Sequence, residues 1–295
     1  MALVKTTSGP LLLELNGQAA GGLRRVQPAN LRVTIASSVA GRETVVRRGA
    51  QVALGEMSAD AYLFEPGPLV DWLQMALADD LTPRNGAVLQ GDANLNLRRR
   101  IDFRGARLSG LSWPALDATD AKQALILSLR WLVESVDDTA GSGGKIKQTT
   151  SRRKPPQTSN FRVSGLPFGG DAVLRVALPE LQVAWATDRV GEQRRGMLVG
   201  RRQLGEAAIT IGARQAEAAR TWVHKLVADG SIDEREGLTL QVDLLDAALK
   251  NVLATVVLNG CLLSGMDEDP LATGSEKLGN LTLRFDVAGM TLQVV

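Results

Sequence analysis

Apolar and polar residues alternate along several short segments of the chain, which is the pattern of half-buried β-strands. Residues 31–35 and 238–244 show the alternation most clearly, and residues 125–132 and 278–287 show it again. Turns rich in Gly, Asn and Asp separate these segments. The pattern therefore predicts a protein built mainly of β-strands.

Two segments carry apolar residues at helical spacing instead. The first runs over residues 68–79 and places on one face Leu69, Trp72, Leu73, Ala76 and Leu77. The second runs over residues 213–229 and places on one face Ala219, Trp222, Val223, Leu226 and Val227. Pro68 suits a first helical turn, where its missing N–H would have no partner. We predict one amphipathic helix in each half of the chain.

Five sequence blocks recur in the same order in the two halves. They pair residues 16–22 with 164–170, 31–33 with 181–183, 72–79 with 222–229, 105–111 with 260–266, and 127–131 with 281–285. Matches in the same order with small insertions are the signature of an internal repeat. The sequence therefore predicts a tandem duplication, with domain 1 over residues 1–136 and domain 2 over residues 160–295.

Residues 137–159 separate the two predicted domains. Gly, Ser, Thr, Pro and Lys dominate this stretch, and it has no apolar periodicity. Such a segment buries too little apolar surface to offset its ordering entropy, so we expect a flexible linker. Its basic residues are Lys145, Lys147, Arg152, Arg153 and Lys154. Two interpretations remain open, a solvated connector and a positive segment that docks on an acidic partner.

These elements define the predicted fold class, which is mainly β (α+β). Each domain has strands, one helix and then further strands, an order that suits a small β-barrel or β-sandwich packed on a helix. Hydrophobic residues make up 44% and charged residues 22% of the 295 positions, enough apolar material for two cores. No run approaches the roughly 18 apolar residues of a membrane span, so we predict none.

Few residues are available for catalysis or metal binding. The chain has one cysteine and one histidine, which excludes an intrachain disulfide and a zinc site built from Cys and His. His224 falls outside the apolar stripe of its helix, and Cys261 stands where the first half has Ala106. We therefore expect a solvated His224 and a small buried Cys261. We predict no enzyme, no cofactor and no metal.

An acidic cluster, Asp267 to Asp269, has two interpretations. Hard cations bind several carboxylate oxygens at once, but solvated acids are common in a turn of this composition. We favour the solvated turn. The net charge of +2 and the few aromatic residues also give no basis for a specific nucleic-acid site.

At residues 62–135 and 215–290 the sequence resembles the tail tube proteins of contractile phage tails and of extracellular contractile injection systems. The resemblance rests on an early Trp in each helix (Trp72, Trp222) and on strands that end in a small residue. It rests also on the stretch Trp113-Pro114-Ala115-Leu116-Asp117 before the last strand of the first half. The second half has Pro270 and Leu271 there, without the Trp.

The resemblance implies a structural role. Members of the family assemble six-membered rings that stack into a tube, so a duplicated chain would form such a ring as a homotrimer with pseudo-sixfold symmetry. We expect a component of the inner tube or of its baseplate end, as a hub or tube initiator. Its partners would be further copies of itself and neighbouring tube, sheath or baseplate proteins.

The resemblance also suggests which residues make contacts. Candidate ring or stacking contacts are Trp113, Pro114, Leu116, Asp117, Pro270 and Leu271. Arg98 and Arg100 share one face of a predicted strand with Asp102. That face is either solvated or a charged wall of the lumen or a contact between rings.

The competing function is a tandem β-barrel that binds a ligand and does not assemble into a tube. It would need converging polar groups in a pocket, and one His and one Tyr supply few of them. The N-terminus shows no basic segment followed by a long apolar stretch. We therefore expect assembly in the cytoplasm, without a signal peptide, into a phage tail or tail-like particle that can later be released.

Overall fold

The computed structural model describes residues 9–40, 44–62, 66–120, 123–146, 155–190, 194–228, 237–269 and 279–295. These residues form 18 strands and two helices. The first half contains β1 (Leu11–Leu15), β2 (Gln18–Gln27), β3 (Leu31–Ala40), β4 (Thr44–Leu54), β5 (Met57–Tyr62), α1 (Pro68–Leu77), β6 (Arg84–Gly91), β7 (Leu97–Ser112), β8 (Leu116–Asp117), β9 (Ile126–Leu132) and β10 (Ser135–Ala140).

The second half follows a similar order of elements. It contains β11 (Phe161–Ser164), β12 (Val173–Ala177), β13 (Leu181–Val190), β14 (Arg194–Leu204), β15 (Ala207–Ile211), α2 (Ala213–Ala228), β16 (Leu238–Leu245), β17 (Val252–Glu268) and β18 (Leu281–Val294). The long strand β18 takes the place of β9 and β10, and no described strand corresponds to β8. The predicted fold class, mainly β with one helix in each half, is confirmed. No described helix is long and apolar enough to cross a membrane.

Six strands of the first half close into a barrel. They pair in the order β6, β1, β2, β5 and β9, and β7 joins the two ends by pairing with both β6 and β9. Gly105 in β7 has a φ of 62°, a left-handed conformation that glycine adopts without steric cost. The partner on one edge of β7 changes near this glycine. Strand β10 pairs with β7 as far as Arg104, and β9 pairs with it from Arg107 onward.

The second half has the same strand order but is open at one point. Its strands run β11, β16, β17, β18, β15 and β12. Among the described residues β11 and β12 do not pair with each other, and β8 of the first half occupies the free edge of β12. The first half therefore contributes a strand to the sheet of the second.

The strand registers of the two halves correspond residue by residue. The β3/β4 hairpin pairs Leu31 with Leu54, and the β13/β14 hairpin pairs Leu181 with Leu204, both partners 150 positions further along. The pairing of β2 with β5 and that of β12 with β15 skip the same position, between residues 23 and 25 and between residues 173 and 175. A shared irregularity of this kind is a designed feature of a strand pair, so the correspondence extends beyond regular pairing.

One hydrophobic core runs through both halves. The buried residues form a single cluster that includes Leu13 and Trp131 of the first half and Leu181 and Phe285 of the second. At the junction the Gln74 side-chain amide of α1 donates a hydrogen bond of 2.9 Å to the carbonyl oxygen of Leu292 in β18. The described halves therefore pack as one body.

The two helices differ in how deeply they are buried. In α1 all six apolar residues of the inner face are buried, from Leu69 to Leu77. In α2 only Ala216, Ala219 and Val223 are buried. The apolar stripe predicted for residues 213–229 is thus only partly covered within one chain.

The first residues of the predicted linker form part of a strand. Residues 137–140 belong to β10 and pair with residues 99–102 of β7. Asp138 is held there by the Arg99 guanidinium at 2.5 Å, a partner that local composition does not reveal. Residues 147–154 of the expected linker lie outside the described part of the chain.

Trp131 supports the core of the first barrel. Its ring is fully buried, and it contacts Trp72 with the ring centroids 6.1 Å apart and Phe103 at 5.9 Å. We expect Trp131→Ala to lower the free energy of unfolding by about 3–5 kcal/mol, because it leaves a large cavity. Urea unfolding followed by circular dichroism measures the change.

Two controls accompany this variant. Trp131→Phe keeps the aromatic contacts and removes an indole N–H that has no described partner, so it should cost much less. Leu249→Ala changes an exposed side chain and should cost less than about 0.5 kcal/mol. A loss of stability in Trp131→Ala no larger than in Leu249→Ala would contradict the assigned role.

Candidate assembly surfaces

The stretch Trp113–Asp117 crosses from the first half to the second. Leu116 is fully buried and pairs with Val176 of β12, and Asp117 pairs with Arg175. These two candidate contact residues therefore already join the two halves within one chain. Their role between chains stays a prediction.

Asp117 is held by hydrogen bonds on both oxygens. One oxygen accepts the hydroxyl and the backbone N–H of Thr119 at 2.6 and 2.9 Å, and the other accepts the Arg175 guanidinium at 2.6 Å. The Thr119 bonds, and after them Arg175, keep the pKa of Asp117 below its ordinary value of 3.8. The ionised carboxylate therefore stabilises the fold above about pH 3.8, and this contribution is lost as the pH falls through the lower folded-state pKa.

The other candidate contact residues are placed differently. Trp113 and Pro114 are half-buried and line a shallow groove with Tyr62 and Gln123. The indole nitrogen of Trp113 is buried and has no hydrogen-bond partner among the described residues. Pro270 and Leu271 lie outside the described part of the chain.

The arginine run of β7 is neutralised within the chain. Arg98 pairs with Asp92 at 2.9 Å, Arg99 forms two bonds to Asp138, and Arg100 contacts Glu14 at 3.0 Å. Arg100 also bonds Asp102 at 2.9 Å, its predicted neighbour on the same face of the strand. Each guanidinium thus has a carboxylate partner before any second molecule arrives. A lumen or inter-ring role for Arg98 and Arg100 stays a prediction.

The turn before β7 fixes the partner of Arg98. Asp92 accepts the side chain of Asn96 at 3.0 Å and its backbone N–H at 2.9 Å, and these two bonds are the main cause that lowers its pKa to about 2. The N–H of Asn94 and the Arg98 guanidinium add smaller effects in the same direction. The turn therefore holds a carboxylate that stays ionised throughout the ordinary pH range.

The remaining residues considered for catalysis or metal binding are His224, Cys261 and the acidic cluster. His224 is exposed on α2. Cys261 is buried, and desolvation raises the pKa of its thiol to about 11. The acidic cluster is spread over three partners: Asp267 pairs with Arg284, Glu268 with Arg220, and Asp269 accepts the backbone N–H of Asn280. In the described ranges, no three His, Cys, Asp or Glu side chains come together in a way that could hold a metal ion.

Of the basic residues in the predicted linker, Lys145 alone lies in the described ranges. Its ammonium group donates a hydrogen bond of 2.7 Å to the carbonyl oxygen of Asn94. Lys147, Arg152, Arg153 and Lys154 lie outside the described part of the chain. The docking of this segment on an acidic partner stays a prediction.

Sequence reasoning missed a strand pairing that joins the two halves of the chain. Strand β13 adds to the outer edge of β7, with Leu181 opposite Leu111 and Gln182 opposite Gly110. Next to this pairing the Trp185 indole donates to the carbonyl oxygen of Leu108 at 3.3 Å, and the Arg107 guanidinium lies 5.9 Å from the ring centroid. The one available signal is that Trp185 stands where the first half has Ile35.

Comparisons with known proteins give structural neighbours only. No protein-family model matches the chain, and no curated protein matches it. A chain of the anti-feeding prophage (AFP) tube-terminating cap is 12% identical with a TM-score of 0.40, and the match covers 50% of this chain and 97% of that one.

Two further neighbours come from the same kind of particle. A chain of the AFP baseplate is 18% identical with a TM-score of 0.39, over 51% of this chain and 98% of that one. A chain of the sheath–tube complex of the extracellular contractile injection system PVC is 16% identical with a TM-score of 0.39, over 50% of this chain and 100% of that one. Each match thus spans about half of this chain and nearly all of the neighbour.

The electrostatics of the Asp92 turn can be tested by substitution. We expect Asn96→Ala to raise the pKa of Asp92 clearly above 2, because it removes the side-chain bond that contributes most. Arg98→Ala should raise it less, because the Arg98 effect is the smallest of those that lower it. Carbon-detected NMR titration of labelled aspartates measures both shifts. A larger shift in Arg98→Ala would mean that the ion pair, and not the turn, holds the carboxylate.

Proposed function

We propose that this chain is a tandem duplication that serves as a structural ring component of a contractile phage-tail-like particle. Three copies would form a ring with pseudo-sixfold symmetry in the inner tube or at its baseplate end, as a hub or tube initiator. Neighbouring tube, sheath or baseplate proteins would be its partners. The observation that carries the proposal is the residue-by-residue correspondence of the strand pairings in the two halves.

The duplication is supported by shared irregularities as well as by shared order. Strand β7 and strand β17 both contain a glycine with a φ near 60°, Gly105 and Gly260. The bulge between Leu108 and Gly110 in β7 recurs between Leu263 and Gly265 in β17. Strand β10 pairs Ser135 with Arg104 as the second part of β18 pairs Gly289 with Asn259. Two domains of unrelated origin would not be expected to share such details.

The contact between the halves supports assembly into a ring. It is heterologous, because β13 of the second half meets β7 of the first and the two surfaces are different. Repeated heterologous contacts generate a closed ring when the rotation between neighbours closes, and an open filament when it does not. Strand addition at sheet edges also removes the unpaired backbone groups that would otherwise drive uncontrolled association.

The role proposed here is not enzymatic. The buried Cys261 thiol, with its pKa raised to about 11, stays protonated at neutral pH and is not an activated nucleophile. The His224 side chain is exposed on a helix. These surroundings support structural roles for Cys261 and His224.

Electron microscopy combined with mass determination tests the proposed assembly. We expect rings of pseudo-sixfold outline with a mass three times the 31.5 kDa of one chain. Stacks of such rings would favour the tube body, and isolated rings would favour the tube end. Particles that remain at the mass of one chain at high concentration, with no rings, would contradict the proposal and favour the ligand-binding alternative.

A further inference from the structure

The chain exposes apolar residues at positions where the other half buries them. Leu31 is 64% exposed and Val33 50% exposed at the start of β3, whereas their counterparts Leu181 and Val183 in β13 are 0% and 6% exposed. Local sequence does not explain the difference, since both members of each pair are apolar. The difference lies in what covers the strand.

Strand β13 is covered because it pairs with the first half. Leu181 lies opposite Leu111 and Gln182 opposite Gly110, at the end of β7 that follows the Leu108 bulge. Strand β3, by contrast, pairs only with β4 among the described residues. The outer edge of β3 therefore presents unpaired backbone groups beside two exposed apolar side chains.

The second half contains an edge that corresponds to the edge of β7 with which β13 pairs. The residues of β17 that correspond to Gly110 and Leu111 are Gly265 and Met266, which pair with Arg284 and Leu283 of β18 as their counterparts pair with β9. Strand β16 pairs with β17 only as far as Cys261, and beyond that point β18, on the opposite edge, is the one described strand that pairs with β17. Within the described residues, the outer edge of β3 and this edge of β17 both lack a paired strand, as the edges of β13 and β7 would without each other.

We propose that the outer edge of β3, at Leu31 and Arg32, pairs antiparallel with Met266 and Gly265 in β17 of a second copy of this chain. This inference rests on the proposed function, because it assigns the contact that closes the ring between chains. It repeats between two molecules the pairing that β13 and β7 make within one. Leu31 would lie opposite Met266, and Arg32 opposite Gly265.

The uncovered stripe of α2 fits the same contact. Val227 is 64% exposed, whereas its counterpart Leu77 in α1 is 4% exposed. Helix α1 lies against β18 of the other half, where the Gln74 amide reaches the Leu292 carbonyl oxygen. A second copy bound through β3 would offer its β10, the counterpart of that part of β18, to α2. The burial of Val227 would follow from the same docking event.

Disulfide trapping in the full chain tests the register. Antiparallel partners have Cα atoms about 4.5–5.5 Å apart, within the range of a disulfide. We expect Leu31→Cys combined with Met266→Cys to give covalent dimers and trimers on a non-reducing gel, and monomers after reduction. The native Cys261 is buried with a raised thiol pKa, so it should not interfere.

Two matched pairs control for geometry and for random collision. Leu111→Cys with Leu181→Cys places the same link within one chain, so it should change gel mobility but not mass. Leu249→Cys with Met266→Cys uses a residue that is 59% exposed but lies in a turn away from the proposed edge, and it should stay monomeric. Equal cross-linking of this second pair would overturn the proposed register.

A charge substitution measures the same contact without a covalent bond. We expect Leu31→Asp to raise the concentration needed for half-assembly at least about tenfold, because an unpaired charge would be buried at the interface. Leu249→Asp should leave it unchanged, and the melting temperature of the unassembled chain should stay similar in both variants. Assembly of Leu31→Asp at the wild-type concentration would overturn the inference.

The outcomes separate this inference from the proposed function. Rings that form normally but give no Leu31–Met266 cross-link would retain the proposed function and reject this contact. A chain that forms neither rings nor cross-links would reject both. Cross-linked trimers that form rings would support both together.

Discussion

The pairing of strand β7 is the constraint on which the rest of the structure depends. A sheet edge left open exposes rows of backbone donors and acceptors, and burial of such groups without partners is costly. Strand β7 meets this constraint in stages along its length, since it pairs with β10 up to Arg104, with β6 up to Ala106, and with β9 and β13 beyond that. The closed barrel of the first half and its junction with the second half are both consequences of these pairings.

The two halves have a similar arrangement of paired strands, but they bury corresponding apolar side chains to different extents. Helix α1 and strand β13 are covered within the chain, whereas their counterparts α2 and β3 keep apolar side chains in contact with solvent. The difference is one of environment more than of composition, because both members of the pairs Leu31/Leu181 and Val227/Leu77 are apolar. The proposed tandem arrangement would account for it, since each chain would have one junction between its halves and one further surface of the same kind left uncovered.

Much of the fold could be predicted from alternation and helical spacing, which depend only on neighbouring residues. The core side chains Trp72, Leu127 and Leu283 are buried where the pattern requires. Long-range pairing could not be predicted in this way. The residues around Leu116 do not predict a two-residue strand opposite Val176. Arg99 interrupts an apolar face of β7, and its partner Asp138 lies 39 positions later in the sequence. Strand geometry predicted that Arg100 and Asp102 share one face, but not that they form an ion pair. The partner of Asp117, Arg175, could be identified only in the assembled sheet.

The covalent connection between the halves affects the kinetics with which copies of the chain would assemble. Two modules on one chain meet at an effective concentration set by their tether, of the order of millimolar for a short flexible one. The β7/β13 junction therefore forms without waiting for a bimolecular encounter, and its formation does not depend on dilution. In a ring made of such chains, half of the contacts would already exist in each arriving unit. The loss of translational freedom would then be incurred once for every two modules, and incomplete rings would have fewer ways to fall apart.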